Sequence, residues 1–421
     1  MRIPDIAFYD TFIKYDRLRE KDLDRYTREL ASGKKILTPS DNTVDNIRSL
    51  RFKKLTGDIE TYNRNIDLVK TNLEVAESTL GDLVDTGTEV RTDIINLLNT
   101  GVLDYEDAKI LGDYLKSMRD YIVNKANISI GDSRLFGGVK SQEDPFDSRG
   151  IYQGEFVDTK VPVAAGVELN TTFVGKDYLG TIPSGTWIDS NSNNVVDPDE
   201  ISYKIGMVKA IDDILQIIEG MDLSKLDAYY SDMGYANPTD SIIGTGEAGT
   251  LNITYGETTF SVNYNDTMNL NDLVNAINTA TGNSDAEGNL LVEAFVFEDR
   301  DGVFRLGLKG QSPDININIE DTSGALTKRI GNFRRILETF DESFSGISQY
   351  RSIIGTQIQV ADSIKIQNDQ QIVKFSELVS KLEDADYAGV ISELEKSKTA
   401  YEALLATIAQ NKDLSLLKFY T

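Results

Sequence analysis

Helical periodicity at both ends of this chain, with β-like sequence between, limits its fold more than any other feature. Residues 5–31 place Phe8, Phe12, Tyr15, Leu23, Tyr26 and Leu30 three, four or eight apart, with charges between them. That is an apolar stripe on a charged helix. Residues 384–412 space Val390, Leu394, Ser397, Tyr401, Leu404, Ile408 and Asn411 alternately by four and three, a heptad seam with polar residues at two positions. Neither stripe has much local apolar sequence to bury against. Paired only with each other, the two helices hide modest apolar area, so they are expected to be marginal in the free chain and firm against neighbouring subunits.

The first helix ends in ELASGKKILTPSDN, residues 29–42. Gly33 takes the positive φ that closes a helix, and Pro39 disfavours helix in the residue before it. Ser40, Asp41 and Asn42 are N-cap residues, and Asn42 with Asp45 resembles a capping box. The stretch is a re-aiming point between two helices, not a catalytic loop. The next helix is expected over about 42–98, with a break at Gly57 and an inner face marked by Ile47, Leu50, Ile59, Ile66, Leu73, Leu80 and Leu83. Unbroken, it spans roughly 80 Å at ~1.5 Å per residue. Further helices are expected at 104–128, at 207–235 and twice within 325–380, the last two separated near Gly346 and Gly355.

Residues 151–205 and 240–322 read as β. TLNITYGETTFSVNY (250–264) alternates around a Gly-Glu turn, NLNDLVNAINTAT (269–281) is a short helix, and LLVEAFVFEDRDGVFRLGLKG (290–310) is a second hairpin. The expected fold class is multidomain α + β: a long helical-bundle or coiled-coil rod from both chain ends, with an inserted β-rich outer region. The chain is expected to divide into an N-terminal coiled-coil segment (1–41), the N-terminal part of the rod (42–150), a β-rich insertion (151–205), a helical connector (206–239), a β-β-α-β-β module (240–324), the C-terminal part of the rod (325–383) and a C-terminal coiled-coil segment (384–421).

The chain has 421 residues and neither Cys nor His. This removes disulfides, thiol nucleophiles, His-based triads and His zinc ligands. No apolar run reaches the 18 residues that mark a membrane-spanning helix. The N-terminal sequence is too charged for a cleaved secretory signal, so any export is expected to follow another route. Residues 151–325 hold 28 acidic and 8 basic residues, a net −20 of the chain's −25. Such a stretch reads as a solvated outer surface, with cation binding as the sharper alternative, and it disfavours nucleic acid.

Three stretches carry a resemblance to the flagellin-like family of bacterial flagella. ASGKKILTPSDN (31–42) resembles its helix-break signature. ANISIGDSRLFGGVKSQEDPF (126–146) resembles the end of the N-terminal rod in one branch. LEDADYAGVISELEKSKTAYEALLATIAQNKDLSLLKFY (382–420) resembles its C-terminal helix. The start MRI, the Thr-Pro-Ser-Asp run and the LFGG…PF segment are closer to the hook–filament junction branch than to filament flagellin. Residues 245–322 resemble an insertion module of flagellins, with Asn269, Leu273, Val274, Ala276 and Ile277 matching its helix. The resemblance implies a structural, non-enzymatic subunit exported through a type III apparatus and located extracellularly in the flagellum. It also implies a ring of like subunits, contacts with a hook-side junction protein and with flagellin, and a chaperone on the C-terminal helical part before export. No cofactor is expected to be required. Filament flagellin is the alternative within the family; a calcium-dependent adhesin or binding module is the alternative outside it.

One segment matches a metal-binding pattern. DSNSNNVVDPDE (189–200) places Asp189, Asn191, Asn193, Val195 (by its carbonyl), Asp197 and Glu200 at positions 1, 3, 5, 7, 9 and 12 of a calcium loop. Alternate residues of a curved loop converge oxygens on a hard cation, and Glu200 closes the site. Asn194 stands where Gly is usual, but Asn tolerates left-handed backbone. A structural Ca²⁺ is the expected occupant, and an Asx-rich surface turn is the competing reading. GTGEAG (244–249) matches G-x-G-x-x-G formally, but a strand pattern follows it instead of a helix, so it reads as a loop. The acid pairs Asp212–Asp213 and Glu298–Asp299 read as solvated charge: adjacent residues on a helix, as at 212–213, do not face each other, and no pocket is implied at either pair.

Overall fold

A helix starts where a side chain takes over backbone donors that no earlier turn can accept. At the first break Asn42 does so. Its Oδ1 accepts the Asp45 amide at 3.1 Å, and its Nδ2 donates to the Asp45 carboxylate at 2.6 Å. Asp41 faces backwards and accepts the amides of Leu37 and Thr38. The computed structural model describes the backbone of residues 3–99 and 105–417, and side chains of 10–98 and 106–410. Phe8 and Asn411 of the terminal stripes lie outside those described side chains.

In chain order the elements are α1 (Ile3–Ser32), α2 (Thr43–Asn99), α3 (Tyr105–Ala126), β1 (Ser129–Ile130), β2 (Ser133–Arg134), β3 (Lys160–Ala164), β4 (Val167–Asn170), α4 (Gly175–Tyr178), β5 (Thr181–Ser184), β6 (Ser202–Ile205) and α5 (Gly206–Glu219). A short 3-10 turn leads to β7 (Tyr229–Ser231), β8 (Ala248–Tyr255), β9 (Thr258–Asn265), α6 (Leu270–Asn278), β10 (Val292–Glu298), β11 (Phe304–Gly310), β12 (Ile317–Asp321), α7 (Ala325–Ile330), β13 (Phe333–Arg335), α8 (Ile336–Glu383) and α9 (Tyr387–Leu417). The fold is multidomain α + β, with long helices from both ends of the chain and a β-rich region between them in sequence. Two units form: Asn65–Asp362, and the two chain ends up to Arg64 and from Ser363.

In the unit Asn65–Asp362, α2 buries Ile66, Val69, Leu73, Ala76, Leu80, Leu83, Val90, Ile94 and Leu97. These alternate by three and four, with Gly87 at the one remaining seam position. The α8 residues Ile336, Phe340, Ile347, Ile354 and Ala361 are buried. At Gly87 a Cβ would lie 2.7 Å from the Phe344 ring and 3.2 Å from the Met207 sulfur, so the missing side chain is the hole this ring fills. Three ion pairs mark an antiparallel register: Lys70–Asp362 (2.7 Å), Glu77–Arg351 (2.8 Å) and Arg91–Asp341 (2.6 Å). All are partly exposed and are worth about 0–1 kcal/mol each, so they set register more than stability.

The β-rich region carries two antiparallel sheets, ordered β12-β8-β9 and β10-β11-β7-β13, and two-stranded pairs β3-β4 and β5-β6. The hairpins of the 240–324 stretch therefore lie in different sheets, and the four-stranded one takes β7 and β13 from outside that stretch. Helix α6 starts with a full capping box between Asn269 and Asp272 and buries Leu270, Leu273 and Ile277.

Several local expectations are corrected. Helix α2 runs through Gly57 and α8 through Gly346 and Gly355. An interior Gly costs about 1 kcal/mol relative to Ala, which a long cooperative helix absorbs. Gly346 also admits Gly180, whose Cα lies 3.4 Å from its would-be Cβ. The helix expected over 207–235 stops at Glu219, and β7 follows because it pairs with β11 and β13, partners remote in sequence. Ile47 and Leu50 are not inner-face residues; they are 52% and 57% exposed. The aspartates read as solvated are buried. Asp212 pairs with Arg119 (2.9 Å) and Lys204 (2.7 Å), and Asp213 with Arg305. Asp299 stands 3.4 Å from the same guanidinium, while Glu298 is exposed. Burial pushes the Asp213 carboxyl up, and Arg305 pulls it back.

Two predictions follow from this packing. Gly87→Ala should lower the stability of this unit, the overpacking of about 1–3 kcal/mol exceeding the helix-propensity gain of about 1 kcal/mol; a raised unfolding midpoint in calorimetry would contradict the packing. Asp213→Ala, which leaves the Arg305 charge short of its main partner, should cost about 3 kcal/mol or more, read from the denaturant midpoint.

Candidate assembly surface and calcium-like loop

The unit built from the chain ends has little core. Among its described apolar side chains only Ile59 and Val390 are buried, while Ile13, Leu18, Val44, Leu55, Ile366, Val373, Ile391 and Leu405 are exposed. Helices α1 and α9 lie antiparallel, as the bridge Lys34↔Asp384 and the Tyr401 hydroxyl 3.5 Å from Glu20 require. The seam read in α9 is the covered face: Val390 and Ser397 are buried, and Leu394, Tyr401, Leu404 and Ile408 are half-buried. On α1 the half-buried positions Phe12, Asp16, Arg19, Leu23, Tyr26 and Leu30 alternate by four and three. Tyr15, placed in the stripe from sequence, is 54% exposed.

This seam is polar at Asp16, Arg19 and Ser397. One Asp16 oxygen and the Ser397 hydroxyl are buried with no hydrogen-bond partner among the described residues. A buried polar atom left unpaired costs about 1–3 kcal/mol, so the pair alone is poorly stabilised.

The 189–200 loop is held by its own carboxylates and amides. Asp189 accepts the amides of Asn193 (3.1 Å) and Asn194 (2.9 Å), and the Asn193 amide also bonds Asn191 Oδ1. Val195 N donates to Asn193 Oδ1 at 2.6 Å, and Asp197 accepts the side-chain amides of Asn191 and Asn193. Asn194 adopts φ 56°, the left-handed backbone that its position demands. Glu200 ties the ends: one oxygen accepts Ser190 N and Oγ and Asn191 N, the other accepts Trp187 Nε1 at 3.2 Å. The six residues thus fall in one loop, with both Glu200 oxygens engaged by protein donors and two amide nitrogens facing Asp197. Among the described residues no group of three or more carboxylates converges as a metal cluster. Oxygens of the right type are present, and a cation would displace bonds that the loop already makes.

Sequence reading missed the link of this loop to its surroundings. Trp187 carries the Arg329 guanidinium over its ring at 5.2 Å, and Asn194 Nδ2 reaches Glu247 at 3.3 Å. The glycine-rich 244–249 stretch is a loop leading into β8, with the Gly244 amide on Glu247 and the Gly246 amide on Asp266.

Burial works against the Glu200 charge, but the Ser190, Trp187 and Asn191 donors outweigh it and hold its carboxyl below the usual range. A depressed carboxyl stabilises above its unfolded pKa and loses that contribution as pH falls through the folded value. Trp187 emission should therefore shift red on acidification with a midpoint below the ordinary value of about 4.3, and Glu200→Ala should give the red-shifted spectrum at neutral pH. Unchanged emission in that variant would contradict the Trp187–Glu200 bond.

No family model matches the sequence. The chain is similar to flagellar hook-associated protein 3 of Escherichia coli (strain K12), 22% identical over 197 residues, which is 46% of this chain and 59% of that protein. It is similar to flagellar hook-associated protein 3 of Salmonella typhimurium, 26% identical over 128 residues, 30% of this chain and 40% of that protein. The chain thus spans about half the length of the curated relatives it matches. Among solved structures it is similar to a hook-associated protein of Vibrio parahaemolyticus (TM-score 0.45, 14% identity, 82% of this chain and 100% of that one). It is also similar to flagellar hook-associated protein 3 of Legionella pneumophila (TM-score 0.44, 15% identity, 79% and 98%). The sequence comparisons point to the flagellar hook-associated protein 3 family.

Proposed function

We propose, from the similarity to flagellar hook-associated protein 3, that this chain is a structural subunit of the bacterial flagellum, joining hook to filament. The observation that carries the reading beyond similarity is the contrast in burial. One unit has a continuous apolar core, while the chain-end unit buries only Ile59 and Val390 among its described apolar side chains. Apolar helices left this bare find their burial on other subunits. The subunits pack as a ring, with the segments 1–41 and 384–421 as coiled-coil contacts between copies. The rod parts (42–150 and 325–383) form the wall, and the acidic stretches 151–205 and 240–324, joined by 206–239, face the medium. The neighbours are a hook-side junction protein and flagellin, and an export chaperone covers the C-terminal helical part until export places the protein outside the cell.

The loop of Asp189, Asn191, Asn193, Val195, Asp197 and Glu200 takes a structural Ca²⁺ in this reading, in exchange for the amide contacts of Glu200. Calcium titration should change Trp187 emission and raise the melting temperature of the β-rich unit; neither change at millimolar calcium would remove the site.

Immuno-electron microscopy tests the placement. A band at the hook–filament boundary is expected; label along the whole filament would make the chain a filament flagellin, and no label on flagella would end the reading. In dilute solution, amides of residues 10–30 and 390–410 should exchange at least about 100-fold faster than those of residues 66–94, as fits a segment near zero local stability beside a packed core. Equal protection would contradict the need for neighbours.

A further inference from the structure

The two helix breaks of the chain-end unit meet. Lys35 N donates to Glu383 O at 2.7 Å and Ala385 N donates to Gly33 O at 2.9 Å, a short antiparallel bridge between the exits of α1 and α8. Around it, charge converges on two carboxylates. Glu383 takes Lys53 Nζ at 2.5 Å, Lys34 Nζ at 3.6 Å and the Ser49 hydroxyl. Asp384 takes Lys34 Nζ at 2.5 Å and the Ser380 hydroxyl, and Lys35 Nζ donates to Lys381 O at 2.8 Å. The Glu383 side chain is 13% exposed, and both of its lysine partners stand more than 40% in solvent. Four helix ends are joined here: the end of α1, the starts of α2 and α9, and the end of α8. With so little apolar burial in this unit, polar contacts rather than a core hold that junction.

We propose that Glu383 is the hub of an acid-opened latch: its ionised carboxylate pins α1 and α9, as a pair, to the start of α2 and the end of α8, and neutralising it releases the pair. Glu383 is a positioning residue here, and the latch stands apart from what the protein assembles with. The charged groups around the carboxylate are Lys34 and Lys35 from the break, Lys53 from α2 and Asp384 beside it, with Glu60 across a groove of about 300 Å³ lined by Lys34, Lys53, Ser380 and Asp384. Asp384 lines that groove, and the 13% of the Glu383 side chain left in solvent gives protons access to the hub. Burial works against the Glu383 charge, but the Lys53, Ser49 and Lys34 contacts outweigh it and hold the carboxyl low. Asp384 is held low by its bonds to Lys34 and Ser380. Both folded values lie below the unfolded ones. The latch is therefore fully closed above the ordinary carboxylate range and opens as pH falls through the folded values. Lysines stay charged throughout, so below that range Lys34 and Lys53 face each other without their counter-charge.

Hydrogen exchange on the full-length chain tests this. In Glu383→Gln at neutral pH the Lys35 and Ala385 amides should lose protection about tenfold or more, the scale of losing charge-assisted hydrogen bonds. Amides near Leu73 in the other unit should be unchanged, which shows that the variant folds. Ser49→Ala should give a smaller loss at the same two amides. Protection of those amides in the unsubstituted chain should fall on acidification with a midpoint below about 4.3, and the Gln variant should keep at most the smaller step that Asp384 contributes. Unchanged protection in Glu383→Gln, the same acid step in both proteins, or amides already unprotected in the unsubstituted chain at neutral pH would each overturn the latch.

Discussion

The unit Asn65–Asp362 depends on one packing constraint, the three–four alternation of α2 from Ile66 to Leu97 meeting the buried face of α8. An α-helix presents such positions as one narrow stripe, and a second antiparallel helix covers it by placing its side chains between them. At Gly87 the stripe gives up a side chain, and Phe344 enters the space. Both helices are thereby held in register where the chain departs from α2 and where it returns to α8. The acidic, β-rich stretch leaves and rejoins the pair at these ends and packs back on it, with Met207 beside Gly87 and Gly180 beside Gly346.

Charge does two different jobs in this chain. On the surface, the 151–325 stretch is strongly one-signed. Inside it, Asp212, Asp213, Asp232 and Asp299 are buried with Lys204, Lys209 and Arg305. Lys209 donates to the carbonyl oxygens of Pro183 and Asp232, and burial brings its pKa down to about 8. Three of the eight basic residues of the stretch are thus spent internally together with four aspartates, so the outer face keeps close to the net negative charge that composition gives it. Buried pairs of this kind add little net stability over apolar packing, yet each is costly to break. They make the joint between α5 and the β10-β11-β7-β13 sheet specific.

Most of the helical architecture was legible in sequence because it is written locally. The cap at Asn42, the short helix after Asn269, the covered positions of α9 and the strands 248–255, 258–265, 292–298 and 304–310 all follow from spacing and turn residues within a few positions. What was not legible depends on distant partners. Strand β7 exists because β11 and β13 flank it, and Asp213 is internal because Arg305, far along the chain, reaches it. Glycine was over-read as punctuation at 57, 346 and 355, since its cost is small against a long cooperative helix. The calcium-like loop was legible as a pattern of donors. That Glu200 spends its oxygens on Trp187, Ser190 and Asn191 was not.

The polar positions of the terminal seam fit the same logic. A heptad stripe of Leu and Ile alone would pair α1 with α9 firmly in the single chain and leave nothing for a neighbour. Asp16, Arg19 and Ser397 interrupt that stripe, and two of them keep buried oxygens without partners among the described residues. Polar groups at seam positions lower stability and discriminate among partners and registers. At the base of the same helices the contacts are the reverse: bonds converge on Glu383 and Asp384 and are locally complete. The junction is therefore defined by directional polar contacts within one chain, while the outer turns are left with unmet demands. On the assembly reading, that division lets a subunit present its terminal pair at a set angle while the pair itself stays adaptable until a neighbour supplies the missing surface.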